Sequence, residues 1–243
     1  MTVLGIDTAT AVSTVGVVRD ARVVAEVVER SRTGHAAGLP ALVRRALDQA
    51  SARIEDLNGL AVSIGPGSFT GLRVGLSFAK GVAFASGTKI VGVSTLEALA
   101  VAVPAEFLTI AVACDARRGE VYLAMFRRTQ GRVEREGEDV ALPPGLAAQR
   151  IRVGLGGQPR PIVVGDAAER YPEAFTGLAS EAIVIASFAE IHPRGSVVAL
   201  LGEKRLAAGD AHRLDTLVPF YVRPSAAEGN LRTRSLTTEN RLS

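Results

Sequence analysis

One pattern in this chain occurs twice: an apolar strand ending near aspartate, a turn, a second strand, a turn and a third strand. Residues 2–30, "TVLGIDTATAVSTVGVVRDARVVAEVVER", carry the first copy, and residues 109–138, "TIAVACDARRGEVYLAMFRRTQGRVEREGE", carry the second. Asp7 and Asp115 thus end equivalent strands 108 residues apart. β-Branched residues mark the strands, and "TATA" and "RDAR" are the turns of the first copy. After each copy come a helical stretch and a further strand. A unit of three strands, helix and strand, met twice, predicts a duplicated α/β fold. The lobe boundary falls near Val103-Pro104, giving a first lobe over 1–103 and a second over 104–223. The remaining stretch, 224–243, is polar and aperiodic, which predicts disorder.

Within the first lobe, Leu39, Leu42, Val43, Ala46, Leu47, Ala50, Ile54 and Leu57 recur in steps of three and four, the apolar face of an amphipathic helix. A short apolar strand, "LAVSIG", leads into "GPGSFTGLRVG" and a second helix. Ser94 and Glu97 open a third helix in a capping-box pattern. "IVVGD" reads as a strand of the second lobe and "SVVALLGEKRLAAG" as its helix.

The glycine-rich loop matches neither phosphate-binding spacing. Gly65, Gly67 and Gly71 do not form a dinucleotide fingerprint, and Leu72-Arg73 stands where a P-loop needs Lys-Ser. Glycines continue into the helix, where each costs about 1 kcal/mol relative to alanine. Gly67, Gly71, Gly75, Ala79 and Ala83 recur every fourth residue, forming a ridge that lets another backbone approach closely. That backbone belongs either to this chain or to a partner.

Composition narrows the function classes. A formal charge of +3, two charges of it in the tail after Val222, leaves a near-neutral body without the basic surface of a nucleic-acid binder. The longest apolar stretch, "LEALAVAVPAEFLTIAVAC", is broken by Glu97, Pro104 and Glu106, so it does not span a membrane. The start has no secretory character, and a cytoplasmic location is expected. His35, His192 and His212 are the only histidines, and none pairs at helical spacing for a metal. The single cysteine, Cys114, reads as a buried structural thiol. "DARRGEVY" groups Asp115, Arg117, Glu120 and Tyr122 at a hairpin, as a turn-stabilising ion network or an acid–base pair.

With "LGIDTAT", "GPGSFTGLRVGLSFAKGVAFA", "VSTLEALA", "DARRGEVY", "VVGDAAERY" and "VPFYVRP" in order along the chain, the sequence resembles the TsaB (YeaZ) family of bacterial tRNA threonylcarbamoyladenosine biosynthesis proteins. The resemblance implies an actin/Hsp70-like (ASKHA) duplicated fold, with a mixed sheet flanked by helices in each lobe. In that fold Asp7 belongs to the first phosphate element. Here Thr8-Ala9-Thr10 supply hydroxyls in place of its glycine, so Asp7, Thr8, Thr10, Gly65 and Gly67 stand as nucleotide contacts or as turn-capping groups. His35 matches a family "H-S-E" stretch only at the histidine.

The resemblance further implies a catalytic paralogue, TsaD, with an H-x-x-x-H metal motif; Thr95 and Leu99 stand at those positions here. This chain is then expected to be a non-catalytic scaffold without metal or intrinsic cofactor. It would pair with TsaD, join the ATPase TsaE, meet tRNA only indirectly and share ATP or ADP at the junction. A homodimer through the same face is compatible with this. An enzyme acting alone, metallopeptidase-like or an ASKHA-type kinase, is the alternative. The expected interface comprises Leu39, Leu42, Arg45, Ala46, Phe69, Gly71, Leu72, Gly75, Leu76, Ala79 and Val82. On this reading Gly75→Leu breaks the pairing and leaves the fold intact.

Overall fold

The computed structural model of the chain describes residues 1–30 and 38–222. His35 and the tail 224–243 lie outside them. The first half runs β1 (Thr2–Asp7), β2 (Val12–Arg19), β3 (Arg22–Arg30), α1 (Leu39–Gln49), β4 (Gly59–Gly65), α2 (Phe69–Ser86), β5 (Lys89–Ser94) and α3 (Thr95–Ala102). The second runs β6 (Thr109–Arg117), β7 (Glu120–Thr129), β8 (Arg132–Leu142), α4 (Pro144–Leu155), β9 (Pro161–Val164), α5 (Ala167–Arg170), α6 (Pro172–Phe175), β10 (Val184–Ile185) and α7 (Gly195–Ala207).

The two sheets share one topology, β3-β2-β1-β4-β5 and β8-β7-β6-β9-β10. In both, the first strand pairs antiparallel with the second and parallel with the strand after the helix, Ile6 facing Val62 and Val112 facing Val164. The expected mixed sheets are present. The first sheet's β1, β2 and β4 are apolar on both faces, so helices must cover both.

On one face of the first sheet, α1 and α2 pack Leu39, Leu42, Ala46, Leu76, Ala79 and Ala83 against Leu4, Ile6, Val15 and Val62. On the other lies α7, from the second half, with Val198, Ala199 and Leu206 against Val3, Ala61 and Val91. Conversely, α3 of the first half lays Leu96, Leu99 and Ala100 against Ile110, Val112, Phe126 and Ile162 of the second sheet. Helices α4 to α6 cover that sheet's remaining face. Helix α7 of the second half thus packs on the first sheet, while α3 bridges the two sheets, with Ala98 on the first sheet's side.

Backbone contact explains how α7 seats there. A Cβ at Gly16 would lie 2.1 Å from Ser196 N, and one at Gly195 would lie 2.3 Å from Gly16 N. The Glu26 carboxylate on β3 accepts from Gly195 N at 3.1 Å and Ser196 N at 3.0 Å, meeting the positive end of the helix. Burial nevertheless pushes its carboxyl above the ordinary value.

The first amphipathic helix is shorter than its periodicity predicts. It ends at Gln49, Ser51 takes a left-handed φ of 47°, and Ile54–Asp56 form a separate 3-10 turn. Ile54 and Leu57 still join the apolar side, because that turn sits against the same core. Ser94 caps α3 by accepting from Glu97 N, but the Glu97 carboxylate reaches Arg205 of α7 at 2.5 Å instead of closing a capping box.

Candidate functional site

Helix α2 has two unlike faces. The small ridge faces inward: Thr8 Oγ1 donates to Gly71 O at 2.7 Å, and a Cβ at Gly75 would lie 2.3 Å from Thr8 Oγ1. The ridge therefore lets the helix settle on its own chain's first hairpin. This corrects the expectation that it receives a foreign backbone. Of the expected interface, Leu39, Leu42, Ala46, Gly71, Leu72, Gly75, Leu76 and Ala79 are all buried within the chain. Arg45 and Phe69 are exposed, and Val82 is half-buried.

The outward face carries Thr70, Arg73, Ser77, Gly81, Phe84 and Ala85. Phe84 is 83% exposed, and a Cβ at Gly81 would meet nothing within 4 Å. A bare aromatic beside an open mid-helix glycine has no packing role among the described residues. The sequence held the signal, Ser77, Gly81 and Ala85 at the same four-residue spacing, but the buried ridge was the more conspicuous pattern.

A second feature is a cleft of about 720 Å³ between the lobes. One wall combines the first hairpin (Ala9, Thr10, Ala11), the start of α2 (Pro66 to Thr70, with Arg73) and Thr95 of α3. The other is the second hairpin, Asp115 to Arg118 with Glu120 and Tyr122, backed by Asp166 after β9. Tyr221 closes the mouth, its ring 5.7 Å from that of Phe69. Such a crevice, beyond the carboxyl ends of strands in an α/β fold, is where ligands commonly bind.

The proposed nucleotide contacts divide accordingly. Thr10 and Gly67 line the cleft. Asp7 and Gly65 are buried away from it, and Thr8 spends its hydroxyl on Gly71. Asp7 caps its own turn, Oδ1 accepting from Ala9 N at 3.1 Å, while Oδ2 has no hydrogen-bond partner among the described residues. Burial pushes its carboxyl up to about 6; the nearby Ser63 hydroxyl and the Ala9 N–H oppose the rise.

Across the cleft, Asp115 Oδ1 accepts from Tyr171 OH and from Arg117 N, each at 2.9 Å, and Oδ2 pairs with Arg117 at 3.4 Å. Asp115 N donates to Asp166 Oδ1 at 2.7 Å, and burial raises the Asp166 carboxyl. The expected turn network is thus present around Asp115 and Arg117. Cys114 is buried beside these acids; burial, then the Asp166 charge, pushes its thiol well up and keeps it a poor nucleophile. Among the described residues, no three His, Cys, Asp or Glu side chains group so as to hold a metal, and no helix is long and apolar enough to cross a membrane. Sequence reasoning missed Arg73, Arg118, Asp166 and Tyr221 as cleft residues. "VVGD" ends its strand as "LGID" does, which could have flagged Asp166.

Two lobes of one topology, facing each other across a cleft, define the actin/Hsp70-like (ASKHA) class. A solved ROK hexokinase from Thermus thermophilus shares the fold, with a TM-score of 0.50 and 16% identity over 86% of this chain and 100% of that one. A family model described as TsaD, tRNA N6-adenosine threonylcarbamoyltransferase, matches residues 22–230. Bacillus subtilis tRNA threonylcarbamoyladenosine biosynthesis protein TsaB is 30% identical over 94% of this chain and 96% of its own. The solved YeaZ from Pseudomonas aeruginosa superposes with a TM-score of 0.77 and 26% identity, covering 90% of this chain and 99% of its own. The chain belongs to the TsaB (YeaZ) family.

Proposed function

We propose that this chain is a non-catalytic scaffold subunit. It pairs with TsaD, and through that pair with TsaE, in forming N6-threonylcarbamoyladenosine beside the tRNA anticodon in the cytoplasm. The observation that carries the reading lies at the start of α3. Where the resemblance puts the paralogue's metal-binding histidines, this chain has Thr95 and Leu99, 1% and 0% exposed. Neither is a nitrogen ligand, and Leu99 is core. Family membership and the match to a TsaD model support the pathway.

The pairing surface is the outward face of α2, with Arg73, Ser77, Gly81 and Phe84, together with Phe69, Val82 and the exposed Arg45 of α1. A helix laid across Gly81 would approach closely and cover Phe84. The same face serves a homodimer when TsaD is absent. ATP or ADP binds where the partners meet, and tRNA contacts come through TsaD.

Two measurements test this. Supplied with tRNA and threonylcarbamoyl donor, the chain alone is expected to make no modified nucleoside, while TsaD makes it only with the chain added. Product from the chain alone would overturn the non-catalytic reading. Phe84→Glu is expected to end co-elution with TsaD while shifting stability by less than about 0.5 kcal/mol, as for an exposed site. Unchanged co-elution would remove α2 from the interface.

A further inference from the structure

We infer that the cleft between the lobes is a binding site for a small organic molecule carrying one oxyanion group, a carboxylate or a phosphate monoester. The inference does not depend on pairing with TsaD.

Two hydroxyls in the cleft have no hydrogen-bond partner among the described residues. Thr95 lines it with a side chain that is 1% exposed, and its Oγ1 makes no hydrogen bond; Tyr221 OH, also in the lining, makes none either. A buried hydroxyl without a partner costs free energy that a bound acceptor would restore. Thr8, buried nearby, is by contrast satisfied by Gly71 O.

The cationic groups agree. Helices α2 and α3 both begin at this cleft, capped by Ser68 and Ser94. The N–H groups of Phe69 and Thr70 have no partner among the described residues, so the positive end of α2 is open. Arg73 and Arg118, on opposite walls, have no carboxylate partner among the described residues, whereas Arg117 is held by Asp115. Arg73 lies over the Phe69 ring at 3.8 Å, keeping its charge at the mouth.

Shape and counter-charge narrow the ligand. A cavity of about 720 Å³ exceeds what a bare ion fills and suits an organic body against Phe69, Tyr221 and Tyr122. Asp115, Glu120 and Asp166 on the second wall oppose a chain of phosphates. The first hairpin is not the anion grip, because Asp7 and Thr8 are sealed into the first lobe.

The chain has no tryptophan and three tyrosines; Tyr122 and Tyr221 line the cleft and Tyr171 bonds Asp115, so tyrosine emission reports on this region. The isolated full chain is titrated with glycerol 3-phosphate, butyrate and pyrophosphate. A saturable response to one of the first two, stronger than to pyrophosphate, is expected and tells phosphate from carboxylate. Arg73→Ala should weaken it by about tenfold or more. Thr95→Val should raise the Tm of the free chain, by removing the unpartnered hydroxyl, yet weaken the response several-fold. A purely structural Thr95 would show the first effect without the second. No saturable response to either of the first two probes, a preference for pyrophosphate, or responses unchanged in both variants would overturn the site.

Discussion

Asp7 and Asp115 end equivalent strands and live in opposite conditions. Helix α2 presses on the first hairpin: Gly75 fits against Thr8, Gly71 takes the Thr8 hydroxyl, and Ser68 N donates to Ala9 O at 2.7 Å. Asp7 is thereby sealed, with one oxygen unpartnered. In the second lobe the chain between β9 and β10 has no long helix, only the four-residue helices α5 and α6 and a 3-10 turn at Thr176–Glu181. The second hairpin turns through left-handed Arg117, Arg118 and Gly119 and faces the cleft. Both hairpins line the cleft, but the first has sealed its aspartate into the core while the second keeps its aspartate in the cleft wall. Duplication fixes the topology of a pair, while the helix laid on each hairpin decides what its aspartate can touch.

The sharpest way to break this contrast is to lift α2 off the first hairpin. Gly75→Leu must displace Thr8, and about 3 kcal/mol or more of stability should be lost, seen as a fall in the urea midpoint. The sequence-based expectation of an intact fold would be restored by a wild-type midpoint.

Next comes Asp7 itself. Its folded carboxyl is raised from 3.8 to about 6, so its contribution is full below pH 3.8 and lost as pH rises through 6. Asp7→Asn keeps the acceptor for Ala9 N and sets an amide N–H near Ser63. It should flatten the pH dependence between 4 and 6 and raise stability at pH 7 by about 2–3 kcal/mol. Parallel pH profiles for the two proteins would refute a buried, strained carboxylate.

The smallest effect is expected in the open hairpin. Tyr171→Phe removes one hydrogen bond to Asp115, which keeps Arg117, so urea unfolding should show a loss of about 1 kcal/mol. A larger loss than in Gly75→Leu would reverse the comparison between the hairpins.

The repeated architecture was legible because strand alternation and the matched Asp7 and Asp115 are local patterns. The presence of α2 was legible too, but its start was not: the ridge was counted from Gly67, whereas the helix begins at Phe69, capped by Ser68 accepting from Gly71 N. Which way the small ridge points was not, because a spacing of four names a face and not its neighbour. Nor could the placement of α3 and α7 be read, because nothing local tells which sheet an apolar helix covers. The cleft draws on separate stretches from Ala9 to Tyr221, so only the assembled lobes bring its residues together.

The placement of α7 on the first sheet and of α3 between the sheets also determines how this molecule can come apart. Pulling either half away strips a helix from the other, uncovering Val3, Ala61 and Val91 on one side and Ile110, Val112 and Phe126 on the other. Each repeat leaves part of its sheet's apolar cover to the other, so neither is expected to fold alone.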